Sequence, residues 1–106
     1  MDTIPAPVQA VLDAANRNDI DAFMACFTAD GVVDDWGREF RGPVAIREWS
    51  DSEFIGVQVL IEVTGVSQSG NVTTIGARVG GNGYNGGGAF AFTVSDGQVS
   101  RMTITG

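Results

Sequence analysis

The carboxylate of Asp35, which follows Val32-Val33 and a second carboxylate, Asp34, is the strongest candidate for chemistry in this chain. The sequence contains no histidine. This excludes Ser–His and Cys–His nucleophilic catalysis, histidine metal sites and proton transfer by imidazole. Acid–base chemistry therefore falls to a carboxylate, with the single tyrosine, Tyr84, as the less favoured alternative.

Asp34 and Asp35 cannot share one proton as a dyad, because neighbouring side chains of an extended strand point to opposite faces. If Asp35 faces the interior, we expect its neighbours to come from Phe27, Trp49, Phe54, Ile61, Phe90 and Met102. Apolar surroundings disfavour the charged form of a carboxylate and suit it to take up and return a proton. The structural alternative is that Asp35 only accepts hydrogen bonds from Trp49 or the Gly37 turn. Asp34 is expected to form a salt bridge with an arginine such as Arg38, Arg41 or Arg47.

Aromatic and amide side chains are the candidates for binding a ligand. Trp36 and Trp49 each combine a large apolar surface with one N–H donor, so each can pack in the core or line a pocket. The glycine-rich stretch 80–88 has no lysine and no following helix, so it does not match a phosphate-binding loop. It is instead predicted to be an open connection at the mouth of a cup, with Tyr84, Asn82 and Asn85 as hydrogen-bond donors. The predicted substrate-binding residues are Trp36, Trp49, Phe27, Phe54, Tyr84, Asn82, Phe90 and Met102.

Hydrophobic periodicity predicts the elements that must position these residues. Residues 5–17 and 19–27 have helical spacing, and Asn18 and Asp19 suit the end of one helix and the cap of the next. Two short strands, 32–36 and a second through Phe40, precede a third helix over about 43–54. From Val57 onward, apolar residues recur at every second position, which predicts four more strands. The more apolar faces of these strands carry, in order, Val57, Val59, Ile61 and Val63; Thr73, Ile75, Ala77 and Val79; Phe90, Phe92 and Val94; Met102 and Ile104. The order α-α-β-β-α-β-β-β-β predicts an α+β domain with a curved sheet around its helices.

Composition limits the class of protein. With 106 residues, 43% hydrophobic and 18% charged, the chain is expected to form one globular domain over residues 1–106. The net charge of -7 argues against nucleic acid as a partner. No export signal is expected, because Met1-Asp2-Thr3 begins neither a basic nor an apolar region. No membrane span is expected either, because the uninterrupted apolar runs are only a few residues long. Cys26 is the only cysteine, so no internal disulfide can form, and a reducing, cytoplasmic setting is predicted.

Residues 18–23 (NDIDAF), 27–37 (FTADGVVDDWG) and 40–49 (FRGPVAIREW), together with the element order, resemble the nuclear transport factor 2-like superfamily. The resemblance is to its SnoaL-like and ketosteroid-isomerase-like branches. It covers essentially the whole chain and implies a cone-shaped sheet of about six strands and a homodimer formed through the sheet face. In the ketosteroid-isomerase branch an aspartate on the first strand is the general base, and Asp35 matches that position. The branch's oxyanion tyrosine is replaced by Val11, and no aspartate occurs near Gly88-Ala89.

Two functional hypotheses follow. The first is an enzyme without cofactor or metal, an isomerase, cyclase, lyase or SnoaL-like hydrolase, that uses Asp35 as general acid/base on a small hydrophobic carbonyl compound. The second is a ligand-binding or structural homodimer module of the same fold without chemistry. A module that binds other proteins is less favoured, because no large apolar stripe is apparent beyond the sheet face.

Overall fold

A computed structural model, which describes residues 3–106, contains three α-helices and six β-strands. In chain order these are α1 (Ala6–Asn16), α2 (Ile20–Ala25), β1 (Phe27–Asp35), β2 (Arg38–Arg41), α3 (Gly42–Glu53), a one-turn 3-10 helix (Ile55–Val57), β3 (Leu60–Ser69), β4 (Val72–Gly80), β5 (Gly86–Ser95) and β6 (Gln98–Thr105). The predicted α+β order is confirmed. Met1 and Asp2, on which the expectation about an export signal partly depends, lie outside the described residues.

One six-stranded sheet has the order β2-β1-β6-β5-β4-β3. All neighbouring strands are antiparallel except β1 and β6, which run parallel and bring the first strand beside the last. Helix α1 contacts β3, β5 and β6, whereas α3 contacts β1 and β2. The helices therefore cover one face of the sheet, as expected for an α+β domain in which the sheet curves around its helices.

The hydrophobic core lies between the helices and this face of the sheet. The predicted stripe of α1 is buried, since Val8, Val11, Leu12 and Ala15 are at most 2% exposed. Strand β4 buries Thr73, Ile75, Ala77 and Val79, which confirms the predicted alternation. For β3, the predicted row of buried residues Val57, Val59, Ile61 and Val63 is wrong at both ends. Val57 belongs to the 3-10 helix, and Val63 is 38% exposed beside a register shift between Val63 and Gly65.

Short-range signals fix the turns that carry the site. Asn18 adopts the predicted left-handed conformation (φ 56°), and Asp19 caps α2 by accepting a hydrogen bond from the Ala22 N–H at 3.0 Å. That bond is the main reason why the pKa of Asp19 is lowered. Trp36 and Gly37 join β1 to β2 with φ values of 55° and 89°, as expected for a tight hairpin turn.

None of the helices within residues 3–106 combines the length and the apolar character needed to cross a membrane.

Candidate active site

A cavity of about 390 Å³ opens between the β1–β2 turn, the C-terminal end of α3 and the connection from β4 to β5. Its deeper wall is made of apolar side chains that are buried in the fold: Trp49, Phe54, Val59, Val79 and Phe90. Its mouth is formed by more exposed groups: Trp36, Arg38, Glu53, Gly83 and Tyr84. The lining also includes Asp35, Ser52, Val57, Gly80, Gly88, Ile104 and Thr105. An apolar interior with few polar groups is the usual character of a small-molecule site.

Asp35 ends β1 at the wall of this cavity, with 15% of its side chain exposed. Its Oδ2 atom accepts a hydrogen bond from Trp49 Nε1 at 3.0 Å and another from Arg38 Nη2 at 2.6 Å. Its Oδ1 atom receives no hydrogen bond from residues 3–106. This atom is also not fully buried, because the buried side-chain atoms without a hydrogen-bond partner do not include it. One oxygen is therefore held by two donors, while the other is accessible. The bond from Trp49 matches the structural alternative, yet the same carboxylate also lines the cavity.

Helix α3 holds Trp49 in place. The indole is 3% exposed and stacks on Phe54 with a centroid distance of 4.9 Å, while Phe40 lies 6.0 Å away on a tilted ring. Buried aromatic pairs of this kind fix ring orientation as well as contributing apolar contact. The single N–H donor of Trp49 is thus aimed at Asp35 by packing.

Arg38 and Glu53 form an ion pair beside Asp35. Arg38 Nη2 lies 2.8 Å from Glu53 Oε1, and Nη1 lies 3.1 Å from Glu53 Oε2, so the contact is bidentate. The hydrogen bond from Arg38 lowers the pKa of Glu53, and the bond to Glu53 is the main cause of the raised pKa of Arg38. The apolar neighbours expected for Asp35 are therefore incomplete, because Asp35 also borders this charged pair at the mouth of the cavity.

Asp34 lies on the opposite face of β1 and has separate partners. Its carboxylate accepts hydrogen bonds from Arg101 Nη2 and from the Gly37 N–H, both at 2.8 Å. Arg101 also contacts Glu39 at 2.8 Å, and this contact is the largest cause of the raised pKa of Arg101. The predicted salt bridge from Asp34 to an arginine is present, but its partner is Arg101 rather than Arg38, Arg41 or Arg47, because the parallel pairing of β1 with β6 places Arg101 beside it.

The structure brings only part of the predicted binding set to the cavity. Trp36, Trp49, Phe54, Tyr84 and Phe90 line it. Phe27 and Met102 are buried in the core away from the lining, and Asn82 is an exposed residue outside the lining whose backbone N–H donates to the Val57 carbonyl at 2.8 Å. Tyr84 is 58% exposed, and its hydroxyl donates to the Gly87 carbonyl at 2.7 Å.

Sequence reasoning missed Arg38 and Glu53 as members of the site. A usable signal existed for Arg38, because it is the cross-strand partner of Asp35 across the two-residue turn Trp36-Gly37. Opposite charges at such positions commonly pair. No comparable signal existed for Glu53, which approaches from the far end of α3.

The glycine-rich stretch packs closely against residues 57–58 at the mouth. A Cβ atom at Gly81 would lie 2.5 Å from the Gln58 carbonyl oxygen, and one at Gly83 would lie 2.9 Å from Val57 Cγ2. Gly81 also has φ +119°, a conformation that side chains disfavour. These glycines therefore allow the connection from β4 to β5 to approach the start of β3.

The arrangement suits proton transfer by a side chain. Across residues 3–106, no group of three or more His, Cys, Asp or Glu side chains is placed to hold a metal ion. The polar groups around Asp35 are the N–H donors of Trp49 and Arg38 and the carboxylate of Glu53. The two donors can orient the Asp35 carboxylate as a proton acceptor.

A mostly antiparallel cone of sheet, three covering helices and a cavity at the open end define a protein of the nuclear transport factor 2-like class. The sequence model of the SnoaL-like domain matches residues 8–102, and the chain belongs to that family. No curated protein matches the chain.

Solved structures show the same fold. A candidate polyketide cyclase from Sinorhizobium meliloti is 29% identical, with a TM-score of 0.85 over 96% of this chain and 95% of that one. The epoxide hydrolase/cyclase-like enzyme SalBIII, which has a role in pyran ring formation in the polyether salinomycin, is 19% identical, with a TM-score of 0.83 over 93% of this chain and 86% of its own. A protein from Catenulispora acidiphila with a ketosteroid isomerase-like fold, in complex with trimethylamine, is 22% identical, with a TM-score of 0.82 over 98% and 87% of the two chains.

Proposed function

We propose that this protein binds a small hydrophobic molecule in the cavity and acts on it without a cofactor, as an isomerase, cyclase or lyase. The observation that carries the proposal is that Asp35 lines a largely apolar cavity while its Oδ1 atom receives no hydrogen bond from residues 3–106. A carbonyl compound whose acidic C–H bond lies against Oδ1 would give up that proton to the carboxylate. The same carboxyl group would then return the proton to another atom of the substrate.

The relatives support this class of reaction. The Sinorhizobium protein is a candidate polyketide cyclase, and SalBIII is described as an epoxide hydrolase/cyclase-like enzyme. The departure at Val11, where the ketosteroid-isomerase branch has its oxyanion tyrosine, argues against steroid isomerisation by that branch's constellation. The proposed substrate is therefore a polyketide-like or terpenoid-like carbonyl compound rather than a steroid.

Proton exchange tests the proposal without knowledge of the natural substrate. The probe is 2-tetralone, a compact aromatic ketone, incubated with the protein in D₂O while loss of its α-proton signal is followed by NMR. We expect exchange faster than in buffer, and a decrease of this catalysis by roughly 100-fold or more for Asp35→Asn, since general bases contribute about 10²–10⁴-fold.

The matched control is Asp34→Asn, the same substitution one residue earlier on the opposite face of β1. It should leave the exchange unchanged. Exchange that survives in Asp35→Asn, or that Asp34→Asn abolishes equally, would contradict the assignment of Asp35 as the base.

A ligand-binding or structural module without chemistry is the second candidate. It is favoured by the two hydrogen bonds that Oδ2 already accepts from Trp49 and Arg38, because these bonds give Asp35 a structural role. This candidate predicts that 2-tetralone quenches tryptophan fluorescence, since both tryptophans line the cavity, while its α-protons exchange no faster than in buffer.

A homodimer through the outer face of the sheet is also proposed. On this face Leu60 is 57% exposed, and Arg78 and Glu62 lie 3.8 Å apart. Light scattering should give twice the mass of one chain, and Leu60→Glu should reduce it to one. An unmodified chain that is monomeric at all concentrations would contradict this proposal.

A further inference from the structure

We infer that Arg38 and Glu53 are positioning residues for Asp35: Glu53 holds Arg38, Arg38 and Trp49 hold Oδ2, and Oδ1 is left as the oxygen that exchanges protons. This inference rests on the proposed function for the role of Oδ1. Its structural part concerns the protein without substrate and can be tested separately.

A single nitrogen connects the two carboxylates. Arg38 Nη2 lies 2.6 Å from Asp35 Oδ2 and 2.8 Å from Glu53 Oε1, while Nη1 reaches Glu53 Oε2 at 3.1 Å. The planar guanidinium suits such a forked contact, which a lysine ammonium cannot reproduce. Because Arg38 lies on β2 and Glu53 ends α3, the contact also ties the hairpin to the end of the helix at the mouth of the cavity.

Arg38 needs the second anchor because its side chain is 52% exposed. One exposed ion pair restrains a long side chain weakly, since water competes for both charges and the ordered conformation costs entropy. Glu53 supplies two further contacts to the same guanidinium, and the Phe40 ring lies 5.5 Å below its carbon. Removing Glu53 should therefore release Arg38 from Asp35.

The same pair provides the charges nearest to Asp35. Arg38 faces it from β2, Glu53 from α3, and Tyr84 lies across the cavity on the connection from β4 to β5. Strand β6 contributes Ile104 and Thr105 to the lining, neither of which titrates. The position of Oδ2 of Asp35 should therefore depend on Arg38, and on Glu53 through Arg38.

The indole N–H signal of Trp49 reports this arrangement, because Trp49 donates directly to Oδ2. The chain contains only two tryptophans, so a ¹H–¹⁵N spectrum holds two indole signals, and Trp36→Phe assigns them. The position of the Trp49 signal at neutral pH measures how Oδ2 is held. The variants are Glu53→Ala, Arg38→Gln and, as a control, Asp51→Ala, which removes another exposed acidic residue from α3.

We expect Arg38→Gln to move the Trp49 signal, because Oδ2 loses one of its two donors and keeps only the Trp49 N–H. Glu53→Ala should move the signal in the same direction, whereas Asp51→Ala should leave it where it lies in the unmodified protein. An unmoved signal in Glu53→Ala or in Arg38→Gln would overturn the inference, as would an equal movement in Asp51→Ala.

This result is separate from that of the exchange experiment. Movements of the Trp49 signal as expected, but no catalysed exchange of 2-tetralone, would leave the positioning unit in place and contradict the proposed function. Catalysed exchange that depends on Asp35, with an unmoved Trp49 signal in Glu53→Ala, would contradict only the role of Glu53.

Discussion

Replacing Trp49 with phenylalanine removes the N–H donor that fixes Asp35 while keeping an aromatic ring in the core. Trp49 is 3% exposed, stacks on Phe54 at 4.9 Å and donates to Asp35 Oδ2 at 3.0 Å. A phenylalanine ring can retain much of the stacking. It cannot donate to the carboxylate, so Oδ2 would keep only its contact with the half-exposed Arg38.

The expected loss of stability has two parts. A hydrogen bond to a charged group contributes about 1.5–3 kcal/mol. The smaller ring also leaves space, but this space adjoins the open cavity and can be filled by water, so the additional cost should be about 1 kcal/mol, below the usual range for a large-to-small change in a closed core. The sum is about 3 kcal/mol, or a fall in Tm of roughly 10–20 °C for a domain of this size.

Urea unfolding followed by far-UV circular dichroism measures this loss. The control is Trp36→Phe, the same substitution at a side chain that is 64% exposed, which should change the free energy of unfolding by no more than about 0.5 kcal/mol. A loss below about 1 kcal/mol for Trp49→Phe, or equal losses for the two variants, would refute the view that the Trp49–Asp35 bond organises the site.

Three further outcomes are expected. Arg38→Gln should destabilise the protein slightly at pH 7, because the ion pair that it removes is exposed. Since Arg38 lowers the pKa of Glu53, this difference in stability should be present above the ordinary carboxyl range and disappear as the pH falls through the lowered pKa, as urea unfolding at neutral and at acidic pH would reveal. Burial raises the pKa of the Cys26 thiol, so its alkylation by iodoacetamide should be slower at pH 8 than that of a free cysteine peptide, and equal rates would contradict this. Gly81→Ala should cost about 2 kcal/mol or more, because its Cβ would meet the Gln58 carbonyl, whereas Gly87→Ala, with open space around it, should cost less than 1 kcal/mol; similar losses would show that the connection does not pack as described.

Local signals in the sequence predicted most of the fold. Helical spacing located α1 and α3, the cap at Asp19 located α2, and alternation identified the buried face of β4. These features depend on residues a few positions apart, so one sequence is enough to find them. The start of β1 was not found, because Phe27 continues the helical spacing of α2, whereas in the structure it already pairs with Val99 on β6.

Long-range pairing decided what the sequence could not show about the site. Arg101 reaches Asp34 because β6 lies parallel to β1, and Glu53 reaches Arg38 because α3 crosses beside the β1–β2 hairpin. Neither contact has a local signature. The alternation of Asp34 and Asp35 was local, and the two carboxylates do have separate partners on the two faces of β1.

The central claim is that Asp35 transfers protons in the cavity. The most direct test measures the exchange of 2-tetralone α-protons in D₂O with the unmodified protein, with Asp34→Asn and with Asp35→Asn. The account predicts catalysed exchange in the unmodified protein and in Asp34→Asn, and catalysis lower by roughly 100-fold or more in Asp35→Asn. Equal catalysis by a folded Asp35→Asn protein would contradict it.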